Sequence, residues 1–292
     1  MAIEFSSLRA LEILDSRGRP TLSVRATLSD GRSVRAGVPS GASTGSREAV
    51  ELRDHDARYG GLGVRQAAAG VNGPIAEELT GRPFSSLDDV DQMLRQLDGT
   101  PDKSRLGANA LIGVSMAAAQ AFALDAGQPL WQYLRPEGVT PRLPVPHFNV
   151  INGGAHAINN LDFQEFMIAP VGAPSLPEAV RAGAEIYRCL RSTLVDRNLE
   201  TGLGDEGGFA PQVDDADEAL ALLVKAIGDA GYPAGRDGVA IALDPRDDRY
   251  QLGWTSLTSE HLIGYYAEIV DRFPVWSIKT GWASATPRAG TN

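Results

Sequence analysis

Apolar and polar residues alternate through Leu22-Ser23-Val24-Arg25-Ala26-Thr27-Leu28 and again through Ser33-Val34-Arg35-Ala36-Gly37-Val38. That period of two predicts half-buried strands, and the intervening Ser29-Asp30-Gly31-Arg32 predicts the turn of a hairpin. From Val64 to about Gly127 the pattern becomes helical. Ser85-Ser86-Leu87-Asp88-Asp89 has the hydroxyls and early acids of a helix start, ahead of a helix through Leu97. Ala108 to Asp125 is rich in alanine and apolar residues, as a buried helix requires. Strands followed by helices predict an α+β domain over residues 1–135.

Pro136, Pro141, Pro144 and Pro146 crowd one short stretch and mark a boundary. Beyond it, from residue 143, four short apolar runs predict buried strands: Phe148–Ile151, Glu165–Ile168, Val239–Leu243 and Val275–Ile278. Helices are predicted at Leu176–Asp196, Asp214–Ala230 and Thr258–Phe273. The first two strands are joined without a helix; later, strand and helix alternate. This predicts a parallel α/β barrel with its site at the strand C-termini. Four strands do not close a barrel of eight. The tail from Lys279 to Asn292 has no apolar periodicity, so an open half-barrel with an unpaired parallel edge and an exposed apolar face is expected.

The 292 residues are 43% hydrophobic and 22% charged, enough to bury a core. A net charge of −10 disfavours nucleic-acid or anionic-membrane partners and suits a carboxylate site for divalent cations, although acidity alone also keeps a chain soluble. Cys189 is the only cysteine, which excludes an internal disulfide and a cysteine metal cluster. Neither a signal peptide nor an apolar run near ~18 residues is read, so a reducing, cytoplasmic location is expected. The only lysines are Lys103, Lys225 and Lys279.

Four clusters carry candidate chemistry. Ser40-Gly41-Ala42-Ser43-Thr44-Gly45 suits a mobile loop closing on an anion or offering an oxygen to a metal; such a loop is also a common turn. His156, after Asn152-Gly153-Gly154-Ala155, suits substrate binding or a structural role. Glu165, beside Gln164 on a strand, is costly to bury unless bound to something or satisfied by hydrogen bonds. Asp205-Glu206 between Gly204 and Gly207-Gly208 offers a carboxyl of tunable pKa, or a plain turn. Asp244 ends a strand, where a barrel places a metal-binding carboxylate.

These segments, together with Glu12-Ile13-Leu14-Asp15-Ser16-Arg17-Gly18 and Gln164-Glu165-Phe166-Met167-Ile168, resemble the enolase (phosphopyruvate hydratase) family. The resemblance covers residues 3 to about 278. It implies an α/β protein: an N-terminal α+β capping domain, then an incomplete enolase-type (β/α) barrel over residues 143–292 opening strand-strand-helix-helix. It implies the reversible dehydration of 2-phosphoglycerate, a small phosphorylated three-carbon substrate, to phosphoenolpyruvate in glycolysis and gluconeogenesis. Two Mg²⁺ ions, a homodimer or octamer and a cytoplasmic location are implied, with some relatives at the cell surface. By motif, Glu206 corresponds to the general acid, His156 and Glu165 to substrate contacts, and Asp244 and Ser43 to metal ligands.

Departures from the family are specific. Family members read Ser-Ile-Glu-Asp-Gly where this chain reads Ser277-Ile278-Lys279-Thr280-Gly281, so a lysine replaces a metal-ligand glutamate. Leu62 replaces a usual lysine, and a few residues are missing after Asp244. The aberrant tail from Lys279 predicts a C-terminal truncation by frameshift after Ile278. Weak Mg²⁺ binding and little or no activity follow. A non-catalytic binding or regulatory relative and a gene remnant are the competing readings.

Overall fold

The structure is a computed structural model that describes residues 2–41, 48–154, 157, 159, 161, 163–245, 251–252, 255–256 and 259–279. The chain divides into two compact units, one ending at Pro141 and the next beginning at Arg142.

In the first unit, β1 (Ile3–Leu14), β2 (Pro20–Leu28), β3 (Ser33–Gly37) and the short β4 (Pro83–Phe84) form an antiparallel sheet in the order β3-β2-β1-β4. The β2–β3 hairpin has the predicted turn. Alternation puts Phe5, Leu8 and Ala10 of β1 and Leu22, Val24 and Ala26 of β2 into one core. A helical stretch follows as α1 (Arg65–Gly70), a wider turn over Val71–Ile75, and α2 (Ala76–Leu79). Pro74, which lacks an N–H, lies in that wider turn. Helix α3 (Leu87–Asp98) starts on the predicted cap: Ser86 Oγ accepts the Asp89 N–H, and the Asp89 carboxylate accepts the Ser86 N–H.

Helix α4 (Ala108–Asp125) packs on β2 and β3, and α5 (Leu130–Tyr133) follows it. By length and composition α4 could cross a membrane, which the reading of the apolar runs did not anticipate. Its alanines make it apolar, and Ala110, Val114, Ala117 and Ala121 are spent on the core of this unit. A Cβ on Gly113 would lie 2.7 Å from Val24 Cγ2 and 2.8 Å from Val38 Cγ2, so the sheet approaches the helix backbone itself.

In the second unit, β5 (Phe148–Asn152), β6 (Phe163–Ala169), β7 (Ala240–Pro245) and β10 (Val275–Ile278) form a sheet in the order β10-β7-β6-β5. The two-residue strands β8 (Gln251–Leu252) and β9 (Thr255–Ser256) pair separately. Helices α6 (Leu176–Asp196), α7 (Ala216–Asp229) and α8 (Ser259–Arg272) match the predicted ones to within a few residues. Ser175 caps α6 and Asp215 caps α7 through their side-chain oxygens.

The strand directions correct the expectation of an all-parallel sheet. β6 runs antiparallel to both β5 and β7, and only β7 and β10 are parallel. The cause is the length of the link from β5 to β6, which is only ten residues (153–162), because a parallel pair needs a crossover of about a dozen residues or more. The later β7-α8-β10 segment has that crossover. Ile151, Phe166, Ile168, Ile241 and Leu243 pack with Ile186 and Leu190 of α6 and Leu220 and Leu223 of α7. The sheet is an open part of a barrel. Its outer strand β10 carries exposed Trp276, and α8 carries exposed Ile263 and Val270.

Candidate active site

The site of the second unit follows from register. Asn152 on β5 pairs with Glu165 on β6, and Glu165 pairs with Asp244 on β7. Because β6 is reversed, its N-terminal end meets the C-terminal ends of β5, β7 and β10. The row continues onto β10, where the Lys279 N–H donates to the Leu243 carbonyl at 2.8 Å, just past the last paired residue. Three predicted site positions, Glu165, Asp244 and Lys279, therefore share one end of the sheet.

Glu206 reaches the same end from the glycine loop after α6. The Phe209 N–H donates to Val150 O (2.9 Å) and the Asn152 N–H to Phe209 O (2.8 Å), laying the loop along β5. Gly208 lies so close that a Cβ there would meet Asn152 Oδ1 at 2.6 Å. Tyr187 of α6 stacks on Phe209 at 4.4 Å between ring centres and donates its hydroxyl to Gly207 O at 2.8 Å. Asn149 Nδ2 donates to Glu206 Oε2 at 3.1 Å. Asn149 and Tyr187 were not among the predicted site residues. Asn149 lies inside the predicted strand Phe148–Ile151 and reads only as part of it; Tyr187 gave no signal beyond its place next to Ile186 on an amphipathic helix.

The electrostatics are those of crowded acids under partial burial. Burial pushes the Glu165 carboxyl up to about 7, helped by its hydrogen bond to Glu206 and by the charges of Glu206 and Asp244; the Lys279 ammonium pulls the other way. Asp244 is buried, and its Oδ2 accepts a hydrogen bond from Lys279 Nζ at 2.8 Å. That bond holds the Lys279 pKa above the ordinary lysine value. Asn152 is wholly buried, and its side-chain Oδ1 and Nδ2 have no hydrogen-bond partner among the described residues.

In the first unit, Ser40 and Gly41 begin the predicted mobile loop. Arg17 Nη2 donates to the Ser40 carbonyl at 2.7 Å, and Arg53 Nη2 donates to Ser40 Oγ at 3.0 Å. Arg17 is itself held by Asp15, whose Oδ1 accepts the N–H groups of Arg17 and Arg19. The Asp15-Ser16-Arg17-Gly18 signature thus anchors the base of that loop. Ala42, Ser43, Thr44 and Gly45, and likewise His156, lie outside the described residues.

Residues 5–134 match the family model "Enolase, N-terminal domain" and residues 140–288 match "Enolase, C-terminal TIM barrel domain". The chain belongs to the enolase family. It is 50% identical, over 298 aligned residues, to an enolase from Acidothermus cellulolyticus, covering 97% of this chain and 69% of that relative. The enolase family is one of carbon–oxygen lyases, the phosphopyruvate hydratases. The Mg²⁺ that the family implies does not fit the donors seen here. The Asp244 carboxylate is taken by an ammonium group, and no group of three or more acidic, histidine or cysteine side chains is arranged to hold a metal among the described residues.

Proposed function

We propose that this chain carries the acid side of an enolase-type site for a small phosphorylated three-carbon acid. We also propose that these 292 residues turn over 2-phosphoglycerate poorly or not at all. Glu206 is read as the general acid that assists loss of the 3-hydroxyl, Glu165 and His156 as substrate contacts, and Ser43 as part of the closing loop. The held position of Glu206, fixed by Asn149 and the Tyr187-anchored loop, supports the first half of this reading.

The engagement of every lysine carries the second half. Abstracting a proton next to a carboxylate needs a positioned base, and family sites of this kind use lysine or histidine. Lys103 Nζ donates to the carbonyls of Thr100 and Pro101 in the first unit. Lys225 Nζ is bound to Asp229 on α7, and Lys279 Nζ to Asp244. Each of the three ammonium groups is thus already hydrogen-bonded within its own unit. A missing general base alone typically costs ~10²–10⁴-fold in rate. The test is phosphoenolpyruvate formation, followed by absorbance, from chain purified away from host enolase. No rate above background is expected; ordinary enolase turnover overturns the reading.

A further inference from the structure

Three carboxylates and one ammonium meet at the open end of the second sheet. Glu165 faces Asp244 by register, Glu206 hydrogen-bonds Glu165, and Lys279 extends from the end of β10 to Asp244. The Lys279 stem leaves two-thirds of that side chain exposed, while its Nζ sits 2.8 Å from a carboxylate that is only 8% exposed. The backbone explains the aim: the Lys279 N–H is bonded to Leu243 O, so the lysine stands beside the residue that follows Leu243.

We propose that Lys279 is the resident cation of this site, its ammonium occupying the Asp244 oxygen that a divalent ion would need. The inference rests on the reading of Asp244 as a cation-facing carboxylate. An ammonium satisfies carboxylates through directed hydrogen bonds near 2.8 Å, whereas Mg²⁺ demands near-octahedral oxygens at roughly 2.0–2.1 Å. The two cannot share that oxygen face. The lysine is also delivered by its own strand, so it competes at the high effective concentration of a short tether. A divalent ion arriving must displace it and then lie beside a like charge.

The experiment uses the full chain with ¹⁵N-labelled lysine, where three ammonium signals are expected and Lys279→Gln identifies one. Asp244→Asn should shift the Lys279 signal and leave those of Lys103 and Lys225 in place. An unmoved Lys279 signal overturns the inference. Mn²⁺ binding, read by paramagnetic resonance, should tighten at least fivefold in Lys279→Gln and lose that gain when Asp244→Asn is added. A smaller gain, or one that survives Asp244→Asn, overturns it too. If the ammonium signal responds but no variant gains Mn²⁺, the reading of Asp244 falls as well; if tight Mn²⁺ binding needs Asp244 while the ammonium ignores it, only the resident-cation inference falls. The exposed Lys279 stem and the isosteric Asp244→Asn change leave the core untouched, which circular dichroism checks.

Discussion

Glu165 on β6 stands directly opposite Asp244 on β7, two acids paired across antiparallel strands. Like charges directly opposite destabilise a sheet. Here the repulsion is relieved from two sides: Lys279 binds Asp244, and Glu165 keeps its proton to about pH 7.

That relief makes stability depend on pH with a defined sign. The Glu165 pKa is raised from 4.5 in the reference state to about 7 in the folded chain, so the folded state binds the proton more tightly. Its stabilising effect is complete below about 4.5 and is lost as pH rises through about 7. Glu165→Gln mimics the protonated form at every pH. The melting temperature of the variant, relative to the parent, should therefore climb between pH 5.5 and pH 8. A constant difference across that range overturns the assignment.

The Glu206 loop should depend on Tyr187. Tyr187→Phe keeps the ring stacked on Phe209 and removes only the hydrogen bond to Gly207 O. A loss of about 1 kcal/mol is expected. Tyr187→Ala also removes a half-buried ring and should cost more, of order 3–5 kcal/mol at full burial and less here. Denaturant unfolding of the two variants gives the order; equal losses would show that the ring contributes nothing.

How far the site was readable follows from which interactions are local. Ser86, Ser175 and Asp215 are helix caps whose partners lie three residues on, so the sequence shows both members of each pair. The alternation in β2 and β3 is equally local. The reversal of β6 was implicit in the short link from β5, yet the barrel pattern of the later strands suggested an all-parallel sheet. The Asn152–Glu165–Asp244 row needs strand register, which pairs residues up to 79 positions apart and leaves no local trace. The motif resemblance singled out Glu165, Asp244 and Glu206, but Asn149 and Tyr187 act by holding other groups in place and carry no motif of their own.

Two glycines should respond oppositely to a methyl group. Gly113→Ala drives a Cβ into Val24 and Val38 and should cost about 1–3 kcal/mol in the first unit. Gly264, exposed within α8, has nothing within 4 Å of a built Cβ. Gly264→Ala should stabilise that helix by up to ~1 kcal/mol, since alanine is the better helix former. Thermal melts of both variants decide it, and a shift of the same sign in both contradicts the packing described.

The codons from Lys279 onward should carry a one-base deletion relative to the family's reading frame. Take Lys as AAG, Thr as ACG, Gly as GGC, the obligatory TGG of Trp282, and the GC that begins Ala283. One G placed before the lysine codon turns this text into GAA, GAC, GGG, CTG and GGC. It then reads Glu-Asp-Gly-Leu-Gly, and with Ser277-Ile278 before it restores the Ser-Ile-Glu-Asp-Gly that the family resemblance leads one to expect. Trp282 constrains the match most, because its only codon must supply the TG of leucine and the first G of glycine. The arginine-rich, lysine-poor composition favours the GC-rich third positions this needs. The family match itself runs on to Arg288, so similarity does not mark the junction; the codons must. Sequencing the locus should show AAG-ACG-GGC-TGG-GC after the Ile278 codon, with family-like text continuing in the shifted frame. Any other lysine, threonine or glycine codon set that breaks that reading refutes it. Where the text is present, inserting the base replaces Lys279 by glutamate and removes the ammonium from Asp244. The restored chain should then bind Mn²⁺ more tightly than the parent, and Glu206→Gln in it should leave that binding intact while lowering any dehydration of 2-phosphoglycerate by ~10²-fold or more.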